Sequence, residues 1–74
     1  EDTSITLFPN PVVDYLTIDY TKTVSSIEVY TIFGQLLKRV TDTKTIEFGT
    51  MASGFYLVRI NTDEGSITKK ILKE

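Results

Sequence analysis

The sequence predicts an all-β fold, an antiparallel β-sandwich of about seven short strands. Three observations predict it. Threonine is the most frequent residue, Ile, Val, Tyr and Phe are plentiful, and alanine occurs once, as Ala52; β-branched and aromatic side chains suit a pleated surface and lose rotamer freedom in a helix. Apolar residues recur at every second position in several stretches. Turn-forming residues punctuate those stretches every ~8–12 residues. No segment alternates strand with helix, so a parallel α/β sheet is not expected.

In chain order, Ile5 and Leu7 alternate with Thr6 and Phe8 in a first strand that Pro9 ends, because proline has no N–H to give to a ladder. The Pro9-Asn10-Pro11 step restricts its own φ angles and pushes Phe8 and Asn10 toward extended conformations. The Asn10 side chain is expected to hydrogen-bond nearby backbone and fix a stiff corner. In the following "YLTIDY", Leu16, Ile18 and Tyr20 share one face and Tyr15, Thr17 and Asp19 the other, as in a half-buried strand. "TKTVSS" reads as a polar loop around Val24.

"SIEVYTIFGQLLKRVT" reads as a β-hairpin. Ile27, Val29 and Thr31 alternate with Glu28, Tyr30 and Ile32; Phe33-Gly34-Gln35 interrupts, and "LLKRVT" resumes as a strand. Gly34 supplies the positive φ that such a turn needs. Ile32, Leu36 and Val40 also fit a helical stripe, but a mid-helix glycine and β-branched flanks argue against that. A short strand is expected around Thr45 to Phe48, then a loop from Gly49 to Gly54. "FYLVRIN" reads as a strand with Tyr56, Val58 and Ile60 on one face and Phe55, Leu57 and Arg59 on the other. "TDEG" is a turn. "SITKKILKE" is a last strand, with Ile67, Lys69 and Ile71 pointing one way and Lys70 and Leu72 the other. Its lysines suit a sheet edge, where charge discourages further pairing.

Composition bounds the chemistry. The 74 residues make one domain at most, and they contain no cysteine and no histidine. Disulfides, thiol nucleophiles, histidine-dependent triads and the usual zinc ligands are thereby excluded. The net charge is −2 with both signs interspersed, so no basic field for nucleic acid or anionic lipid is present. No apolar run approaches the ~20 residues of a membrane helix, and no N-terminal signal peptide is expected within these residues. The chain opens Glu1-Asp2-Thr3 and is expected to be a fragment of a longer protein.

Catalysis finds no support in the carboxylates, which form no recognisable pair. "NTDEG" has part of a calcium-loop pattern but lacks the alternating oxygen ligands and distal glutamate, and reads as an acidic turn. No metal and no cofactor are expected. The eight Tyr and Phe residues could build a sugar platform, yet aromatics at strand spacing more often fill a core. Lys69, Lys70 and Lys73 form a small basic patch that is either a solvated edge or a contact for an acidic partner surface.

Four blocks in order, "LFPNPVVDYLTI", "IEVYTIFGQLLKR", "ASGFYLVRI" and "EGSITKKILK", resemble one family over residues 4 to 73. The chain is similar to the C-terminal sorting domains of type IX (Por) secretion system cargo proteins from Bacteroidetes. That resemblance places the family motif on Pro9, Asn10 and Pro11, on the turn Gly34, Gln35 and Leu36, on Gly54 and Tyr56, and on terminal lysines at Lys69 and Lys70. Glu74 after Lys73 departs slightly from the family's basic ending. The resemblance implies an immunoglobulin-like sandwich and a non-enzymatic targeting role spanning residues 1–74, with cargo fused on the N-terminal side. It implies passage through the periplasm and export by the type IX outer-membrane translocon. A sortase-like peptidase then usually removes the domain, and the cargo is released or linked to surface lipopolysaccharide. Partner recognition is expected of Lys69, Lys70 and Lys73, and a structural role of the other motif residues. The alternative is an immunoglobulin-like accessory module that binds carbohydrate or a protein partner.

Overall fold

The structure is a computed structural model in which residues 5–74 are described; the reading of Glu1-Asp2-Thr3 as a cut start lies outside them. Seven strands follow one another: β1 (Thr6–Phe8), β2 (Tyr15–Asp19), β3 (Val24–Tyr30), β4 (Leu36–Thr41), β5 (Thr45–Glu47), β6 (Gly54–Thr62) and β7 (Gly65–Lys73). They form two antiparallel sheets, a three-stranded one in the order β1-β2-β5 and a four-stranded one in the order β4-β3-β6-β7. The expected all-β, sandwich-like architecture is therefore present, and the helical reading of Ile32, Leu36 and Val40 is not.

The core lies between the sheets and is built by period two. Leu16 and Ile18 of β2, Ile27 and Val29 of β3, Ile46 of β5 and Val58 and Ile60 of β6 are all buried, as alternation on a sheet with one solvated face requires. Phe48, just past β5, is the largest of the fully buried side chains. Burying a side chain of this class stabilises by roughly 1.5–3 kcal/mol, so these few positions supply much of the driving force available to so short a chain.

One element departs from the sequence reading. Val24 sits not in a polar loop but at the head of β3, buried against the core. The register shifts between Val24 and Ser26, which pair with Thr62 and Asn61. Such a bulge hides the strand's period from a reading based on strict alternation. A second irregularity lies at the start of β4. Val29 pairs with Lys38 but Tyr30 pairs with Leu36, so Leu37 is an extra residue on β4. Both leucines are consequently left about half exposed.

The sheet edges are managed locally. Lys38 of β4 lies half-buried, and its Nζ donates to the Glu47 main-chain oxygen at the end of β5 (3.0 Å). A lysine turned toward the opposite sheet ties the two layers together and makes β4 a poor template for another strand. Lys44, just before β5, donates to the Tyr20 carbonyl just past β2 (2.6 Å), a tie within the three-stranded sheet.

Candidate functional site

The Pro9-Asn10-Pro11 corner joins β1 to β2, and both of its X-Pro bonds are cis. The Asn10 side chain does not serve its own turn. Its Oδ1 accepts from the Leu72 main-chain N–H at 3.1 Å, across 62 positions of sequence. Beside it, Val12 N–H donates to Leu72 O (2.8 Å) and Glu74 N–H donates to Val12 O (2.9 Å). Val12 and Lys73 thus form a short parallel bridge in an otherwise antiparallel fold. The corner is a latch on the end of β7, which corrects the expectation of a purely local bend. A side-chain carbonyl suits this task because Leu72 N–H lies on the edge of β7 not used by β6, and a buried or half-buried donor needs an acceptor.

Lys73 is buried, 7% exposed. It lies on the inward side of β7 with Ile71, and its Nζ donates to the Glu74 main-chain oxygen (2.9 Å). A long apolar stem lets a lysine occupy such an inward position. Lys69 and Lys70 are exposed. Lys69 falls on the Ile67/Ile71 side of the edge strand opposite Val58. Lys70 projects from the outer face, 4.5 Å from the centroid of the Phe55 ring.

Gly54 opens β6 opposite Lys73. Two residues on, the Tyr56 ring meets Phe48 edge-on at 5.9 Å, and its hydroxyl donates to Ala52 O (2.6 Å). Tyr56 closes the loop before β6 onto the core, in keeping with its inward facing. The Gly34 turn is fixed by Thr31. Thr31 N–H donates to Gln35 O and Gly34 N–H donates to Thr31 O, both at 2.9 Å. The Thr31 hydroxyl oxygen accepts from Phe33 N–H and Gln35 N–H, both at 3.2 Å. Gly34 has φ +93°, a conformation glycine adopts freely.

Register brings these motifs together. The end of β3, the start of β4, the start of β6 and the end of β7 lie at one end of the four-stranded sheet, and the proline corner is latched to that end. A cross-strand row on the outer face runs Leu36–Tyr30–Leu57–Lys70. The next row, Arg39–Glu28–Arg59–Thr68, is polar. Glu28 accepts from Asn61 Nδ2 (3.1 Å) and pairs with Arg39 Nε (3.5 Å). The Asn61 hydrogen bond, with smaller contributions from Tyr30 and the two arginines, holds the Glu28 carboxyl below its ordinary pKa against the opposing effect of burial. Asn61 is itself held by Ser26 (2.9 Å) and Ser66 (2.6 Å).

Sequence reasoning missed the apolar half of this face. Phe33 is 91% exposed at the turn tip, and Ile32, Leu36, Leu37 and Phe55 are about half exposed nearby. The signal was legible as two consecutive leucines after a turn that begins Ile-Phe, but a bulge was needed to put both leucines outside. The remaining exposed aromatics, Phe8 and Tyr15, belong to the three-stranded sheet. The aromatics are thus divided between core and two outer faces and do not line up as a sugar platform.

The acidic turn is closed by Thr62, whose hydroxyl donates to Gly65 O and accepts from Glu64 N–H, both at 3.1 Å. Glu64 pairs with Lys22. Among the described residues, no group of three Asp or Glu side chains is placed to hold a metal ion. The surface concavities, around Thr23, Asp42 and Lys44 and around Tyr20, Thr62 and Gly65, are open and lie at the end away from the motifs. No helix is long and apolar enough to cross a membrane among the described residues.

No curated protein matches the chain. Residues 6–74 match the family model described as the secretion system C-terminal sorting domain, and the chain belongs to that family.

Proposed function

We propose that this domain is a folded, non-enzymatic sorting signal that directs an N-terminally fused cargo through the type IX outer-membrane translocon. The observation that carries the reading is the family match over residues 6–74. The four motif blocks support it further by converging on one end of the fold. The cargo passes through the periplasm and reaches the cell surface or the medium of a Bacteroidetes host. A sortase-like peptidase removes the domain, and the cargo is released or joined to lipopolysaccharide. An immunoglobulin-like classification is supported by seven short strands split between two sheets, with the chain passing from one sheet to the other after β2, β4 and β5.

Within this reading, Lys69 and Lys70 are the lysines exposed for partner contact, and the burial of Lys73 favours a packing role for it. The test is a fusion of residues 1–74 to a periplasmic reporter in a host with a functional type IX system. Reporter at the surface or in the medium, dependent on the translocon, supports the proposal. Retention in the periplasm of a fusion shown to be folded sinks it.

A further inference from the structure

The end of the four-stranded sheet that holds the β3–β4 turn exposes several apolar side chains that the core does not use. Phe33 stands 91% exposed, with Ile32, Leu36, Leu37 and Phe55 about half exposed. Single exposed apolar residues are ordinary, but a contiguous set marks a contact surface. Two further features point the same way. The Phe33 turn is not loose: Thr31 makes four hydrogen bonds across it, two through its main chain and two through its hydroxyl oxygen. An aromatic held out on a pre-ordered turn loses little conformational freedom on docking, which is the property of an interface anchor. Charge is also unevenly placed. The chain is net negative, and the outer face of the three-stranded sheet carries Asp19 and Glu47, both exposed. The outer face beside the cluster instead carries Arg39, Arg59 and Lys70 against the single carboxylate of Glu28. Glu28 is already held by Asn61 and Arg39. Three of the eight cations of a net-acidic domain thus lie on the face beside the apolar patch, against one carboxylate.

We infer that the face bearing Phe33, Leu36, Leu37 and Phe55, rimmed by Arg59 and Lys70, docks on a folded protein partner that presents an apolar pocket edged with carboxylates. The occupant is a protein of opposite charge and not a second copy of this chain. A copy that offered this same face would meet its own cations, which repel it. The inference rests on the sorting reading and deepens it: the partner is the translocon component that first meets the folded domain. Phe33 is the anchor, and the cations set orientation and the rate of encounter.

The experiment uses the reporter fusion in the type IX-competent host, with three further fusions: Phe33→Ser, Arg59→Glu combined with Lys70→Glu, and Tyr15→Ser on the opposite sheet. Each domain is also purified and its thermal melting and sedimentation measured. Loss of an interface anchor commonly costs ten-fold or more in affinity. We expect Phe33→Ser to melt like the parent and to lower export roughly ten-fold. The charge reversal lowers it comparably, and Tyr15→Ser leaves it unchanged. A photo-crosslinking phenylalanine at position 33 joins the domain to a translocon polypeptide, whereas one at position 15 does not. If the parent fusion is exported and Phe33→Ser is exported equally well, this inference is wrong while the sorting reading stands. If the parent itself is retained, the sorting reading fails. A parent that sediments as a dimer, reduced to monomer by Phe33→Ser, overturns the assigned partner in favour of self-association.

Discussion

Replacing Asn10 by alanine removes one identifiable interaction, the hydrogen bond from Leu72 N–H to Asn10 Oδ1 at 3.1 Å. Neighbouring main-chain bonds between Val12, Leu72 and Glu74 do not involve the side chain and persist. The net worth of such a bond is about 0.5–1.5 kcal/mol, and its exposed setting places it near the middle of that range, at about 1 kcal/mol. For a domain of this size 1 kcal/mol lowers Tm by about 4–8 °C. Asn10→Asp retains an oxygen acceptor at the same place and should recover most of the loss. Thermal unfolding followed by circular dichroism gives the global figure. Amide hydrogen exchange at Leu72 gives the local one, expected to accelerate about five-fold for 1 kcal/mol of lost protection. A Tm for Asn10→Ala within about 1 °C of the parent, with Leu72 exchange unchanged, would show that the latch is held by the main chain alone.

Three other outcomes are expected. Tyr56→Phe should cost about 0.5–1.5 kcal/mol in urea unfolding for the bond to Ala52, and Tyr56→Ala about 3 kcal/mol, because the half-buried ring also loses its edge contact with Phe48. Glu28 is held below its ordinary pKa in the folded state, so its contribution is fully present above the unfolded carboxylate range and is lost as pH falls through that range and below it. Glu28→Gln should therefore lower Tm at pH 7, where that contribution is fully present, and flatten the fall in Tm on the acid side, so that the two proteins converge at low pH. Lys69→Ala combined with Lys70→Ala should reduce export while shifting stability by less than about 1 kcal/mol, since both side chains are exposed and the one specific contact is Lys70 over Phe55.

The strands were legible because each has one buried face and the others of its residues turn outward. "YLTID" and "FYLVRIN" show this alternation almost without interruption, and the structure buries Leu16, Ile18, Val58 and Ile60. Val24 was not legible, because a bulge beside it breaks the period on which such a reading depends. The proline corner was recognisable as a corner, yet Asn10's partner was out of reach. Nothing local in sequence says that a side chain will find an amide 62 residues away. Lysine 73 was misleading for a related reason. Charge argues for exposure, but a long apolar stem allows a lysine to fill an inward position beside Ile71, with its ammonium held by the Glu74 main-chain oxygen. The apolar outer face was hidden by the extra residue at Leu37, which leaves both Leu36 and Leu37 about half exposed where strict alternation would bury one of two neighbours.

The latch at Asn10 and Val12 also bears on the order in which the chain folds. Closing a loop of this length costs about 3–4 kcal/mol in chain entropy before any contact repays it, whereas the β6–β7 hairpin is joined by a short turn and closes cheaply. The latch can therefore be expected among the last contacts to form, after the intervening strands have brought residue 10 beside residue 72. A chain that stalls part-way would present the end of β7 unfastened, and one that has finished would present it fastened. A receptor that reads this end of the molecule is then reading whether folding has run to completion, not only which residues are present.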